Sequence, residues 1–238
     1  MNGEITWAGV ALSGVCNAII EAPPETNRPE RKVDRYDVPG RNGAIIIPQY
    51  AWENVERSYD LDVYGDYNDA TEALMAWLYA PEGYQRLEDS FDADVYRRAY
   101  VSEGTRIRNL VNTDGRCTVE FNCDPRRFLK SGETEIVYNS QTELTIENPT
   151  KFAAWPLIQI VNGSGAASIT IGGNTITINE ITNGMTLDCE TMQAYNGTEN
   201  LNGVVSGDFP VIPPNATNTI TLTGGIVVMT ITPRWWSL

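Results

Sequence analysis

The sequence predicts a mainly β protein in two domains, a mixed first domain with one helix and an all-β second domain. Three observations carry this. Apolar and polar residues alternate with period two in many short runs, whereas a helical period appears once, over residues 66–83. Of 17 Lys and Arg all but two, and of 31 Asp and Glu all but five, lie in residues 1–148. The remainder is rich in Thr, Ile, Asn and Gly, with turn residues at regular intervals, the pattern of a β-sandwich or jelly roll. The 238 residues suffice for two separate cores. The shift in composition puts the domains at 1–138 and 139–238, with Asn139 to Pro149 as the link.

The elements follow in order. Residues 21–43 are rich in Pro, Glu and Arg without an apolar period and read as a long extended arm or loop, followed by an apolar strand from Ala44 to Ile47. Over 52–64, Val55, Arg57, Tyr59, Leu61 and Val63 alternate with polar residues as one face of a half-buried strand. Asp66 or Asn68 can cap a helix that lines up Ala70, Leu74, Trp77 and Leu78 and stops at Pro81 and Gly83. YQRLEDS and VYRRAYVSEG read as two strands joined at residues 91–94, and RCTVEFNCDP as one more, ended by Pro125. In the second domain SITIGGNTITI signals a hairpin turning at Gly172-Gly173-Asn174, with further strands at WPLIQIVN, MTLDCETMQAY, NTITLTG and IVVMTITPRW.

Composition excludes much chemistry. There is no His, so Ser-His-Asp and Cys-His machinery is ruled out, and the commonest transition-metal ligand is missing. A net charge of -14 repels phosphate and disfavours direct nucleic-acid binding. No apolar run approaches the roughly 20 residues that span a bilayer, and Glu4 stands where a signal peptide would be basic. Neither membrane insertion nor classical export is expected. Cys16, Cys117, Cys123 and Cys189 form no CxxC pair and read as buried thiols.

Carboxylates offer the remaining catalytic route, a glycosidase pair drawn from Asp89, Asp92 and Asp94. Asp92 and Asp94 sit in a predicted turn, and solvated surface is favoured for all three instead. The segment DLDVYGDYND lacks the spacing and closing Glu of a calcium loop, so no metal and no cofactor is expected. Trp155 and Tyr195 are weak candidates for stacking on a sugar, which would make the second domain a carbohydrate-binding module for host cell-wall polysaccharide. Trp235 and Trp236 are adjacent and, on a strand, face opposite ways; they read as structural aromatics, one for a core and one for a neighbouring surface. The run Pro39-Gly40-Arg41-Asn42-Gly43 is different in kind. Pro39 fixes its own φ, Gly40 and Gly43 allow positive φ, and Arg41 presents a planar five-donor head, so the turn suits either a plain hairpin or docking on another subunit's carboxylate.

Three segments carry a resemblance. RYDVPGRNG follows an extended stretch, VEFNCDPRRFL closes the first domain, and ITPRWWSL ends the chain. In this order they resemble the distal tail protein (Dit) family of siphophages. That resemblance implies a belt-like N-terminal domain that closes into a hexameric ring, and a galectin-like C-terminal β-sandwich. It implies a structural, non-enzymatic hub at the virion tail tip, made in the host cytoplasm before assembly. The implied partners are the tail tube protein and a tail-associated fibre or lysin protein, with tape measure and receptor-binding proteins as further neighbours. Within such a ring, Arg41, Arg97, Arg98, Arg126 and Arg127 would meet carboxylates of adjacent subunits.

Overall fold

A computed structural model of the chain describes residues 3–25, 27–101, 107–111, 114–139, 143–181 and 184–238. It is mainly β with one α-helix, as the sequence predicts. The chain divides into two compact units, residues 1–127 with Leu238, and residues 128–237.

The first unit contains β1 (Ile5–Trp7), β2 (Val10–Ala11), β3 (Asn17–Ile20), β4 (Arg31–Tyr36), β5 (Ile45–Trp52), β6 (Val55–Tyr64), α1 (Tyr67–Tyr79), β7 (Gln85–Asp89), β8 (Val95–Tyr100) and β9 (Ile107–Val111). It also holds most of β10 (Asp114–Leu129). The main sheet runs β2-β1-β7-β8-β10-β6-β3, with β9 also paired to β10. β6 keeps the predicted alternation: Val55, Arg57, Tyr59, Leu61 and Val63 are buried and the residues between them mostly exposed. Asp66 caps α1, its Oδ1 accepting from the Asn68 and Asp69 N–H groups at 3.0 and 3.2 Å. Leu74, Trp77 and Leu78 then bury against a core that holds Trp7, Leu61 and Phe121. The Trp7 and Phe121 rings lie 5.0 Å apart, and Tyr59 meets Phe121 edge-on at 6.0 Å.

Three expectations change here. Residues 21–43 are not one loop, because Arg31–Tyr36 forms a strand paired to Ile45–Trp52. The strand at RCTVEFNCDP does not end at Pro125 but runs on to Leu129; its ladder with β6 stops at Cys123, so the missing proline N–H breaks no bond of that ladder. The tail of the predicted VYRRAYVSEG strand, residues 102–104, lies outside the described residues.

The second unit contains β11 (Ile136–Asn139), β12 (Glu143–Glu147), β13 (Leu157–Ile171), β14 (Asn174–Ile181), β15 (Met185–Asp188), β16 (Gln193–Asn196), β17 (Glu199–Asn200), β18 (Val205–Gly207), β19 (Thr217–Thr232) and β20 (Trp236–Ser237). The predicted link at 139–149 lies inside this unit, and Glu143–Glu147 within it is a strand on β19. Two long strands, β13 and β19, pair along their length with register slips near Ile160–Ala167. Their first and last portions, Leu157–Ile160 and Met229–Thr232, carry β15 and β11, while the opposite portions carry β14 and β12. The sheet therefore folds into two leaves that share both strands. The leaves close on one core that includes Ile158, Ile169, Ile176, Leu187, Ile220 and Met229. NTITLTG and IVVMTIT, read as two strands, are one strand bent at Gly224 and Gly225. Gly224 has φ +84°, and a Cβ on either glycine would run into backbone of residues 164–167 on β13.

Candidate assembly surface

The PGRNG turn tips the β4–β5 hairpin. Pro39 and Gly40 occupy the middle of a tight turn closed by the Arg41 N–H on the Val38 carbonyl at 3.1 Å; with Gly40 at φ +80° it is a type II turn. Pro39, Gly40, Arg41, Asn42 and Gly43 are all exposed. The strands pair Tyr36 with Ile45 and Asp34 with Ile47, and the Arg31 guanidinium stacks 4.4 Å over Trp52 near the base. Along the arm the apolar side chains are uncovered: Ile46 is 60% and Tyr50 92% exposed, and Tyr36, Ile45 and Ile47 are exposed as well. An isolated two-stranded ribbon is marginal in water, and this one carries apolar residues on both faces.

The four remaining arginine candidates do not stand on the surface as a set. Successive residues of β8 point to opposite sides, so Arg97 turns inward and is buried while Arg98 is half-buried. Arg126 forms a two-pronged pair with Asp124 on its own strand at 3.0 and 2.9 Å. Burial alone would raise the Asp124 pKa, but the Arg126 hydrogen bonds and charge, aided by Arg98, hold it below the usual carboxylate range. Arg127 is paired with Asp92.

Asp89, read from sequence as solvated surface, is buried. Its Oδ2 accepts from Arg57 Nη2 at 2.6 Å, Arg57 Nε at 3.0 Å and the Tyr59 hydroxyl at 2.7 Å, while Oδ1 caps the Phe91 and Asp92 N–H groups at 3.0 Å. Sequence reasoning missed this cluster although a signal existed, namely an arginine at an inward position of an alternating strand. Of the acids in DLDVYGDYND, Asp60 accepts from Thr118 at 2.6 Å and Asp62 pairs with Arg116 at 3.0 Å.

In the second unit Trp235 enters the core, and Trp236 is buried too. Trp236 stacks on Phe152 at 4.5 Å and on Trp155 at 6.0 Å, and its Nε1 donates to the Ala153 carbonyl at 2.9 Å. Trp155 is thus a packing partner in an aromatic stack. The preceding Arg234 holds Asp188 at 2.8 Å. Burial would raise the Asp188 pKa, but Arg234 and the Glu190 and Thr191 N–H groups keep it below the ordinary value. Tyr195 lies elsewhere, lining a polar groove of about 410 Å³ with Gln193, Glu199, Asn200 and Asn202. Cys117, Cys123 and Cys189 are buried free thiols and Cys16 is half-buried. Burial pushes the Cys117 and Cys189 thiols up to about 12 and the Cys123 thiol up to about 11.

No family model matches the sequence, and no curated protein matches it. Among solved structures, the chain is similar to SPP1 Dit (gp 19.1), whose crystal structure is described as a paradigm of the hub adsorption apparatus in phages that infect Gram-positive bacteria. The TM-score is 0.73 at 12% identity, over 100% of both chains. The chain has a Dit-like fold.

Proposed function

We propose that the chain is a structural distal tail protein of a siphophage. Its copies close into a hexameric ring through the first unit, joining the tail tube to tail-tip fibre or lysin and receptor-binding components. The role is one of shape, without catalysis, in the virion tail tip. The observation that carries this reading is the β4–β5 hairpin, a folded arm on which Tyr36, Ile45, Ile46, Ile47 and Tyr50 stand exposed. A neighbouring copy would bury them, and Arg41 at the tip would find a carboxylate there. The Dit-like fold supports the same reading, in which the second unit would be the galectin-like domain. A net charge of -14 per copy would let DNA pass such a ring without binding.

Light scattering after size exclusion, with negative-stain images, tests it. Copies alone, or mixed with a siphophage tail-tube and tail-tip protein, should form closed rings. Ile46→Asp, at an exposed position, should leave the subunit folded and abolish ring closure. A monomer at every concentration that also joins neither partner would reject the proposal.

The Tyr195 groove favours a second reading, a carbohydrate-binding module that takes host cell-wall polysaccharide. Its ring with surrounding amide and carboxylate groups is suited to a sugar. Calorimetric titration of wall saccharides, with Tyr195→Ala as the control, decides it; absence of heat ends this reading.

A further inference from the structure

A small recess in the first unit holds more positive charge than it needs. It has a volume of about 190 Å³ and is lined by Arg57, Arg97, Arg127, Asp92, Phe91 and the Pro23–Pro24 segment. Two of its arginines are matched, Arg57 by Asp89 and Arg127 by Asp92. Arg97 is not. Its side chain is only 7% exposed and, among the described residues, enters no ion pair or hydrogen bond, so its nitrogens open onto the recess. Arg127 adds a buried Nε–H without a partner. The neighbouring groups that could ionise stay neutral. Burial raises the Cys123 thiol to about 11 and pushes the Tyr59 phenol up as well, so neither supplies a counter-charge. Burial, then the charges of Arg57 and Arg127, work against Arg97. Leaving a buried cation without a partner is costly, and leaving it beside two more is worse.

We propose that this recess binds a carboxylate, which sits against the Arg97 guanidinium with the Arg127 charge beside it. One uncompensated charge calls for a monoanion. The planar guanidinium matches a carboxylate's two oxygens, and Pro23, Pro24 and Phe91 form apolar walls suited to the carbon that bears it. Phosphate, larger in charge and more strongly hydrated, fits those walls less well. The carboxylate can come from an acidic side chain of a neighbouring copy or from a small organic acid, and the recess itself exists in a single chain whether or not a ring forms.

The test is a side-chain nitrogen–proton spectrum of the full chain labelled at arginine, with Arg97→Lys to assign the Arg97 Nε–H. Acetate should shift the Arg97 and Arg127 signals saturably with half-saturation in the millimolar range. Sodium chloride at equal ionic strength should not, and phosphate should compete poorly. Arg97→Met should lose the acetate response. Should that variant fail to fold, the titration of the unaltered chain still decides. The source of the carboxylate is read by comparing dilute with assembled protein. An Arg97 signal already at its acetate-bound position in the assembly, and returned by Ile46→Asp, identifies a neighbour's side chain; a signal that still titrates in both states identifies a free acid. No saturable shift in either state without the bound position already reached, or a response to phosphate alone, overturns the proposal.

Discussion

Asp89→Asn is the sharpest test of how the first unit is held together. The substitution keeps shape and removes charge at a residue that accepts from Arg57 twice, from the Tyr59 hydroxyl, and from two backbone N–H groups. Arg57 is 7% exposed, so it cannot turn to water when its counter-ion is lost. Breaking a buried pair in this way costs about 3–5 kcal/mol, a large share of the roughly 5–15 kcal/mol that holds a domain folded. The reverse deletion should cost less: in Arg57→Met, Asp89 keeps the Tyr59 hydroxyl and both N–H donors. Arg57→Met combined with Asp89→Leu should be milder than Asp89→Asn alone, because no orphan charge remains. Urea unfolding at neutral pH reads all three, with the loss confined to the transition of the first unit. An Asp89→Asn midpoint within about 1 kcal/mol of the parent at an unchanged slope would refute the reasoning.

Other perturbations follow from the same coordinates. Arg41→Ala should lower the assembled fraction on a sizing column and leave the far-ultraviolet spectrum of the subunit unchanged, with an effect between about 0–1 kcal/mol if the pair is exposed and 3–5 kcal/mol if it is buried. Gly132→Ala should destabilise the second unit by about 1–3 kcal/mol in thermal unfolding, since the added Cβ runs into the backbone nitrogen of Trp235. The buried thiols have folded pKa values above the unfolded 9.0, so their contribution is complete below pH 9. It falls as pH rises from there, by about 1.4 kcal/mol per unit for each thiol; Cys189→Ala should remove one thiol's share of that slope in urea melts. Asp188 behaves oppositely: its folded pKa lies below 3.8, so its contribution is present above that pH and is lost as pH falls through the folded value. Asp188→Asn should therefore flatten the acid limb of the stability profile of the second unit.

What could be read locally was read well. The alternation over Val55–Tyr64 identified both the strand and its inward face, and the spacing of Leu74, Trp77 and Leu78 identified the helix, with Asp66 as the cap of the two candidates Asp66 and Asn68. The hairpin at Gly172–Gly173 joins β13 to β14, with Asn174, read as part of the turn, paired instead to Ile171. Each of these signals lies within a few residues of the structure it specifies, where backbone propensity and side-chain period act directly. The apparent failures share a different cause. Residues 31–36 carry no apolar alternation because the ribbon they build has no buried face, so period-two reasoning had nothing to detect. Gly224 and Gly225 look like a break between strands, and only the matching bulge in β13 shows that they bend one. Trp155 seemed available to a sugar until Trp236, brought from the far end of the sequence, stacked on it.

The sequence by itself determined the β class, the single helix, the contrast in charge between the two parts, and the shaped turn at Pro39–Gly43, because these depend on residue type and short-range spacing. Only the tertiary structure decided which charges are matched. Arg57 finds Asp89 across two strands, Arg127 finds Asp92, and Arg97 is carried inward on the same face with no acid opposite it. Charge pairing depends on distance through space, and distance through space is set by strand order and register, which no local pattern encodes.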